Sequence, residues 1–253
     1  GVLGGAMVAG YSTIALANLQ VQDNLGTPPS GTGGGGGIVL ASGSTASIAN
    51  AQFIANYSES GGAILVDSSV LALSNARFVG NLASMRGGAI YNSLSSVSAQ
   101  HTTFIGNEAA YGAVVFSVGG DSEFVGCDLS FNTASANGGV WTYYAAWSGT
   151  FTASWSNFFG NAVFPFYNLA SPVGANGNTA LDPLYRDVSG QDPADWDLHL
   201  SMNSPLIDAG QPSVLDPDGS RADVGSYSGP GAGTIDLDGD GAPSWWQPGP
   251  YDA

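Results

Sequence analysis

Apolar and polar residues along this chain alternate with a period of two over short stretches, and the stretches recur about every 25 residues. A Phe-x-x-Asn pattern marks the repeat: Phe53 to Asn56, Phe78 to Asn81, Phe104 to Asn107, a weaker Leu129 to Asn132, then Phe158 to Asn161. The steps between these asparagines are 25, 26, 25 and 29 residues. With Asn24, Asn56, Asn81, Asn107, Asn132 and Asn161 as position zero, the residues three back are Val21, Phe53, Phe78, Phe104, Leu129 and Phe158. Those eight back are Leu16, Ile48, Leu73, Ala99, Phe124 and Ala153. Both columns are apolar throughout and are expected to point inward. The columns seven back (Ala17, Ala49, Ser74, Gln100, Val125, Ser154) and four back (Gln20, Gln52, Arg77, Thr103, Asp128, Asn157) are mostly small or polar and are expected to face solvent. Alternation breaks six back, at Asn18, Asn50, Asn75, His101, Gly126 and Trp155, which predicts a corner.

Short strands with turn residues at fixed offsets, repeated at this period without long amphipathic helices, predict an all-β fold. We expect a right-handed, single-stranded parallel β-helix of about six coils with an irregular C-terminal cap. In such a solenoid each strand pairs with its counterpart one turn on, about 4.8 Å away, so Phe stacks over Phe. The recurring Asn is expected to adopt the left-handed conformation at a turn and to pass amide hydrogen bonds along the stack. Gly61-Gly62-Ala63, Gly87-Gly88-Ala89, Gly112-Ala113 and Gly138-Gly139-Val140 are expected at corners that only small residues can turn. The organisation read from the chain is coils over residues 1–161, final irregular coils and a cap over 162–235, and an extension over 236–253. The Gly- and Pro-rich stretch at 26–34 is expected to bulge from one corner. After Asn161 the period is lost among Pro165, Pro172, Pro183 and further prolines.

Charge narrows the partners. The 253 residues carry 20 acids, four arginines and no lysine, so the cations that would neutralise nucleic-acid phosphate or an anionic membrane are missing. Residues 1–180 hold seven acids and two arginines (net −5), residues 181–253 thirteen and two (net −11). Cys127 is the single cysteine, which precludes an internal disulfide, and it falls in a small inward column with Ala51, Ala76 and Thr102, so a buried inert thiol is expected. No apolar run approaches the roughly 20 residues of a membrane span. The chain starts at Gly1 without Met and carries the repeat's own Gly4-Gly5-Ala6, which reads as a processed or excised piece of a longer precursor.

The Gly-Gly-Ala-Ile and Phe-x-x-Asn pair resembles the repeats of chlamydial polymorphic outer-membrane proteins, within the pectin-lyase-like right-handed β-helix group. The stretches Leu181-Asp182-Pro183-Leu184-Tyr185, Asp197-Leu198-His199-Leu200, Ser204-Pro205-Leu206-Ile207-Asp208-Ala209-Gly210, Asp216-Pro217-Asp218-Gly219 and Arg221-Ala222-Asp223-Val224-Gly225-Ser226-Tyr227 resemble the end of bacterial choice-of-anchor surface β-helices. Together the likenesses cover most of residues 4–227. They imply a fold and an extracellular, cell-surface setting; the group includes both adhesins and polysaccharide-cleaving enzymes, so they imply no single activity.

The sharpest local motif is Asp236-Leu237-Asp238-Gly239-Asp240-Gly241. Alternate oxygen ligands ending in Gly suit a loop around Ca²⁺, with Asp236, Asp238, Asp240 and the Ala242 carbonyl as ligands and Gln247 where a bidentate Glu is expected. The bland alternative is a solvated acidic linker. Asp216 and Asp218 form a lesser cation candidate against a plain Pro-Asp-Gly turn with Arg221 paired to Asp208 or Asp223. A paired-carboxylate enzyme would draw on Asp121, Glu123 and Asp128, but no His or Arg accompanies them, so an outer polar patch is expected. His101 reads as a turn residue and His199 as an outward strand residue. Of the aromatic run from Trp141 to Phe159, Trp147 and Trp155 are the candidates for an exposed ligand-stacking platform.

These readings converge on a non-enzymatic, secreted structural β-helix of the bacterial cell surface. The expected partner is a further copy, joined head to tail into filaments with calcium support, through an open strand edge at one end and the aromatic segment of Trp245, Trp246 and Tyr251 at the other. The alternatives are a monomeric adhesin binding glycans or a host protein, and a polysaccharide lyase or hydrolase.

Overall fold

The 25-residue period is the circumference of one coil. A computed structural model describes residues 5–26, 34–143, 149–161 and 164–232 of the chain, the Tyr143 side chain excepted, and within them the strands stack in parallel as a β-solenoid of about five turns. Each coil has four faces. The first runs through Met7–Gly10, Ile38–Ala41, Ile64–Asp67 and the start of Ile90–Gln100, with rung-to-rung pairs such as Ile38↔Ile64 and Ile64↔Ile90. The second and third faces follow along Thr13–Gln22 and Thr45–Ile54, where Ile48 pairs with Leu73 and Phe53 with Phe78. The fourth holds Tyr57–Ser60, Leu82–Arg86, Glu108–Tyr111 and Thr133–Asn137 as a sheet of its own.

The corner predicted six residues before each Asn is present. Asn18, Asn50, Asn75, His101, Gly126 and Trp155 all take positive φ, between 45° and 63°, which turns the second face into the third. At the next corner the left-handed residue is not the repeated Asn, as expected, but its predecessor: Asp23, Ala55, Gly80, Gly106, Phe131 and Gly160 have φ of 51° to 64°. The physical reason lies in the Asn side chain. It points inward as a ladder, the Asn56 amide nitrogen donating to Asn81 Oδ1 at 2.9 Å and to the Val21 carbonyl at 2.8 Å, with the same pair of bonds repeated at Asn81 and Asn107. Buried donors cost about 1–3 kcal/mol each when unpaired, so the amide closes the coil only where the preceding residue supplies the turn.

Apolar columns fill the interior. Phe53, Phe78 and Phe104 stack at centroid distances of 4.6 and 4.7 Å, and Phe104 leads through Phe124 to Phe151. The glycine marks are corners: Gly61, Gly87, Gly112 and Gly138 have positive φ. The glycine after Gly61 serves a different need, because a Cβ on Gly62 would collide with the Gly88 carbonyl of the next rung. Beyond Asn161 the chain closes one end of the stack, with Phe166 against Phe151 and Phe158, and Thr179 bridging to Asn157.

From residue 182 the chain turns back and runs along the outside of the third face as a strap. Tyr185–Asp187 and Asp197–Leu200 form an antiparallel hairpin around a short 3₁₀ turn, Pro193–Asp195. Pro193 sits over Gly80 and Trp196 over Gly106. Leu198 packs with Ile54, Val79 and Ile105 in a second apolar cluster separate from the solenoid interior. The expectation that the column four back faces solvent is therefore wrong for most of its members. Gln52, Thr103, Asp128 and Asn157 are at most 8 % exposed, because the strap lies along this face.

Candidate functional site

The seam between strap and third face gathers most of the polar chemistry among the described residues. Its most deeply buried carboxylate is Asp128, 1 % exposed. The Tyr185 hydroxyl and the Ser130 hydroxyl both donate to its Oδ2, and the Asn157 amide donates to Oδ1 at 2.8 Å. Burial pushes the carboxyl up to about 6 despite these three donors, and burial beside Asp128 raises the Tyr185 hydroxyl further still. The side chains act as a polar rivet: each satisfies the other in a place water does not reach.

Further along the seam, Arg77 donates to the Tyr227 hydroxyl with its guanidinium carbon 5.2 Å from the ring centroid, and the His199 ring stacks on Tyr227 at 4.0 Å. His199 Nδ1 lies 2.5 Å from Asp197 Oδ1. Residues 225–229 then cross the corner between second and third faces. Gly225 N donates to the Gly126 carbonyl at 3.0 Å, Ser226 N to Thr103 Oγ1 at 2.9 Å, and the Asn75 amide to the Ser228 carbonyl at 2.7 Å. Ser228 Oγ lies 2.8 Å from His101 Nδ1, and burial under this crossing lowers the His101 pKa.

Between these contacts the strap encloses a cavity of ≈ 280 Å³. One wall is the solenoid, through Thr103, and the hairpin contributes Arg186 and His199. The opposite wall carries four carboxylates, Asp208, Asp216, Asp218 and Asp223. Two of these also tie the strap's own turns together. Asp216 accepts from Gly229 N and Asp223 N, and Asp223 accepts from Asp208 N at 2.8 Å. Burial, then repulsion from Asp216, Asp208 and Asp218, pushes the Asp223 carboxyl up to about 7, and Asp216 is raised by burial as well. Asp218, accepting from the Ser220 hydroxyl and backbone, is held below the ordinary carboxylate range.

The residues singled out in the sequence are distributed unevenly. Asp236, Asp238, Asp240, Ala242, Trp147, Trp245, Trp246 and Tyr251 lie outside the described residues. Trp155 occupies a corner, half-buried, with Gly177 packed against its ring and the Arg221 guanidinium carbon 5.2 Å from the ring centroid. Arg221 does not pair with Asp208 or Asp223; it donates to the Gly210 and Ala209 carbonyls. Asp121 and Glu123 are exposed on the second face while Asp128 is buried under the strap, so those three carboxylates are not brought together. Cys127 is fully buried, its thiol pushed up to about 12 by burial.

Sequence columns pointed away from Tyr185, His199 and Tyr227, yet a signal was present. Two residues before Asn56, Asn81 and Asn107 stand Ile54, Val79 and Ile105, apolar like the phenylalanines three before them. Adjacent strand residues face opposite sides, so one apolar column had to point outward and needed a cover. Compared with protein-family models, with curated proteins and with solved structures, the chain finds no match. The chain is a parallel β-solenoid.

Proposed function

We propose that this chain is a non-enzymatic structural protein of the bacterial cell surface that assembles head to tail into extracellular filaments, the rung of residues 7–22 of one copy meeting the segment of Trp245, Trp246 and Tyr251 of the next. One observation carries the reading. At the rung of residues 7–22 the inward side chains Met7, Ile14, Leu16 and Leu19 are only partly buried, whereas their counterparts one rung on, Ala46, Ile48 and Ala51, are at most 1 % exposed. A further rung laid over these half-covered apolar side chains would bury them, and in this reading a second copy supplies that cover. A contact between unlike ends that does not close into a ring propagates as a filament. In this reading calcium, held by the carboxylates of the Asp236 to Gly241 motif, supports the assembly.

Negative-stain imaging in millimolar-scale calcium, repeated after chelation, tests the proposal. Filaments that fall apart on chelation are the expected result, and Leu16→Asp with Leu19→Asp should abolish them while leaving folded particles. Monodisperse rods in both conditions overturn it. A second reading, a surface adhesin, draws on the half-buried Trp155 at its corner; glycan-array binding lost in Trp147→Ala or Trp155→Ala would support it.

A further inference from the structure

Strap and rungs are joined differently from the rungs among themselves. The interior cluster of the rungs takes in no strap residue among those described. The strap instead lays Leu198, with Val188 and Trp196 beside it, over the outward column Ile54, Val79 and Ile105. Beside that apolar cover it also closes over a carboxyl group. Asp128 is 1 % exposed; Tyr185 of the strap donates to it, and Gly225 of the strap packs beside its Cβ. Its three side-chain partners, Ser130, Asn157 and Tyr185, are all uncharged. The titratable groups that face it are Tyr185 and Asp182 from the strap and Cys127 from its own rung, and no cation among the described residues pairs with it.

A carboxylate closed off in this way lacks the countercharge that would offset its loss of water, and Asp182 repels it further. The neutral acid escapes that cost without losing a bond, because the Ser130 or Tyr185 hydroxyl can turn and accept its proton. Water returns to Asp128 when the strap lifts, and the rungs keep their own core when it does. We propose that Asp128 is a pH-sensitive latch: as a neutral acid it holds the strap shut over the third face, and as a carboxylate it favours lifting of the strap, which bares the apolar column Ile54, Val79 and Ile105. Burial pushes the closed carboxyl from 3.8 up to about 6. With the folded value raised, closure is fully favoured below the exposed value and weakens as pH rises through about 6. A shift of about two pK units is a factor of about 100 in the ratio of closed to open strap. Asp223, in the strap's own wall, acts in the same direction at higher pH, and His101 beneath the 225–229 crossing acts in the opposite one.

The test is hydrogen exchange of the full chain, followed by mass spectrometry from about pH 4 to pH 8, with each rate divided by that of an unstructured peptide at the same pH. Protection of residues 184–200 is expected to fall about a hundredfold between pH 4 and 7, while the rungs keep theirs. Asp128→Asn fits the same place, its oxygen accepting from Asn157 and its nitrogen donating to the two hydroxyls, and should remove most of that pH dependence. Asp195→Asn, exposed on the strap, should retain it in full. Tyr185→Phe takes one donor from the carboxylate and should move the midpoint to higher pH, which keeps the proposal testable where Asp128→Asn does not fold. The proposal is overturned if strap protection does not change with pH, if Asp128→Asn or Tyr185→Phe follows the wild-type curve, or if the rungs lose protection in step with the strap.

Discussion

A single carboxyl group sets much of the pH response of this molecule. Asp128 is raised to about 6 in the folded chain, above its ordinary value. Its contribution to stability is therefore fully present below the unfolded pKa and is lost as pH rises through about 6. Asp223, raised to about 7, acts in the same direction over a slightly higher window. His101 opposes them: its folded pKa is lowered, so its contribution is present above the ordinary histidine value and lost as pH falls through the folded one. The melting temperature should accordingly pass through a maximum in acidic solution, decline as pH rises to about 7 and level off above it. Asp128→Asn should flatten the part of that decline between about pH 4 and 6, a difference on the order of 2–3 kcal/mol, readable by thermal or chemical denaturation across pH. A wild-type stability that rises steadily to pH 8 would contradict the assignment.

At the scale of the element, the rungs and the strap fail in different ways. Removing the centre of the aromatic stack in Phe78→Ala leaves a cavity between Phe53 and Phe104. That change should cost about 3–5 kcal/mol, seen as a lower denaturation midpoint of the whole solenoid. Asn81→Ala breaks the amide ladder in mid-stack and leaves buried partners at the Phe53 carbonyl and the Asn56 amide; about 2–4 kcal/mol is expected from two or more orphaned groups. The strap reads out differently. Trp196→Ala uncovers the Gly106 corner and the outward cluster of Ile54, Val79 and Ile105. Hydrogen exchange of residues 182–232 should then accelerate at least tenfold while the rungs stay protected, because the solenoid holds its own core without the strap. Equal acceleration in rungs and strap would show that the two fold as one unit.

For the whole molecule the separation of core and cover explains where the sequence could be read and where it could not. A repeat writes the same local rule many times. Corner residues at Asn50, Asn75 and Trp155, the inward Phe column and the buried Cys127 followed from period and alternation alone, because each rung sees the same neighbours above and below. Even there one assignment shifted by a residue: the ladder asparagines turn inward and hand the left-handed conformation to Ala55, Gly80 and Gly106. Alternation also could not say which outward face would be covered. Asp128 and Thr103 read as solvent residues because periodicity counts inside and outside of a strand, and has no term for a distant segment lying over the outside. The strap is joined to them over long sequence separations, 57 residues from Asp128 to Tyr185 and 150 from Arg77 to Tyr227. Its chain follows no period, so only the folded molecule brings these partners together. By itself, then, the sequence determined the solenoid, its coil length, its corners and its aromatic interior, since those are nearest-neighbour consequences of a repeated pattern. The tertiary structure alone decided that the strap returns along the third face, that Asp128 is buried beneath it, and that four aspartates face one cavity. Such contacts depend on where a non-repeating segment lands, which no local rule encodes.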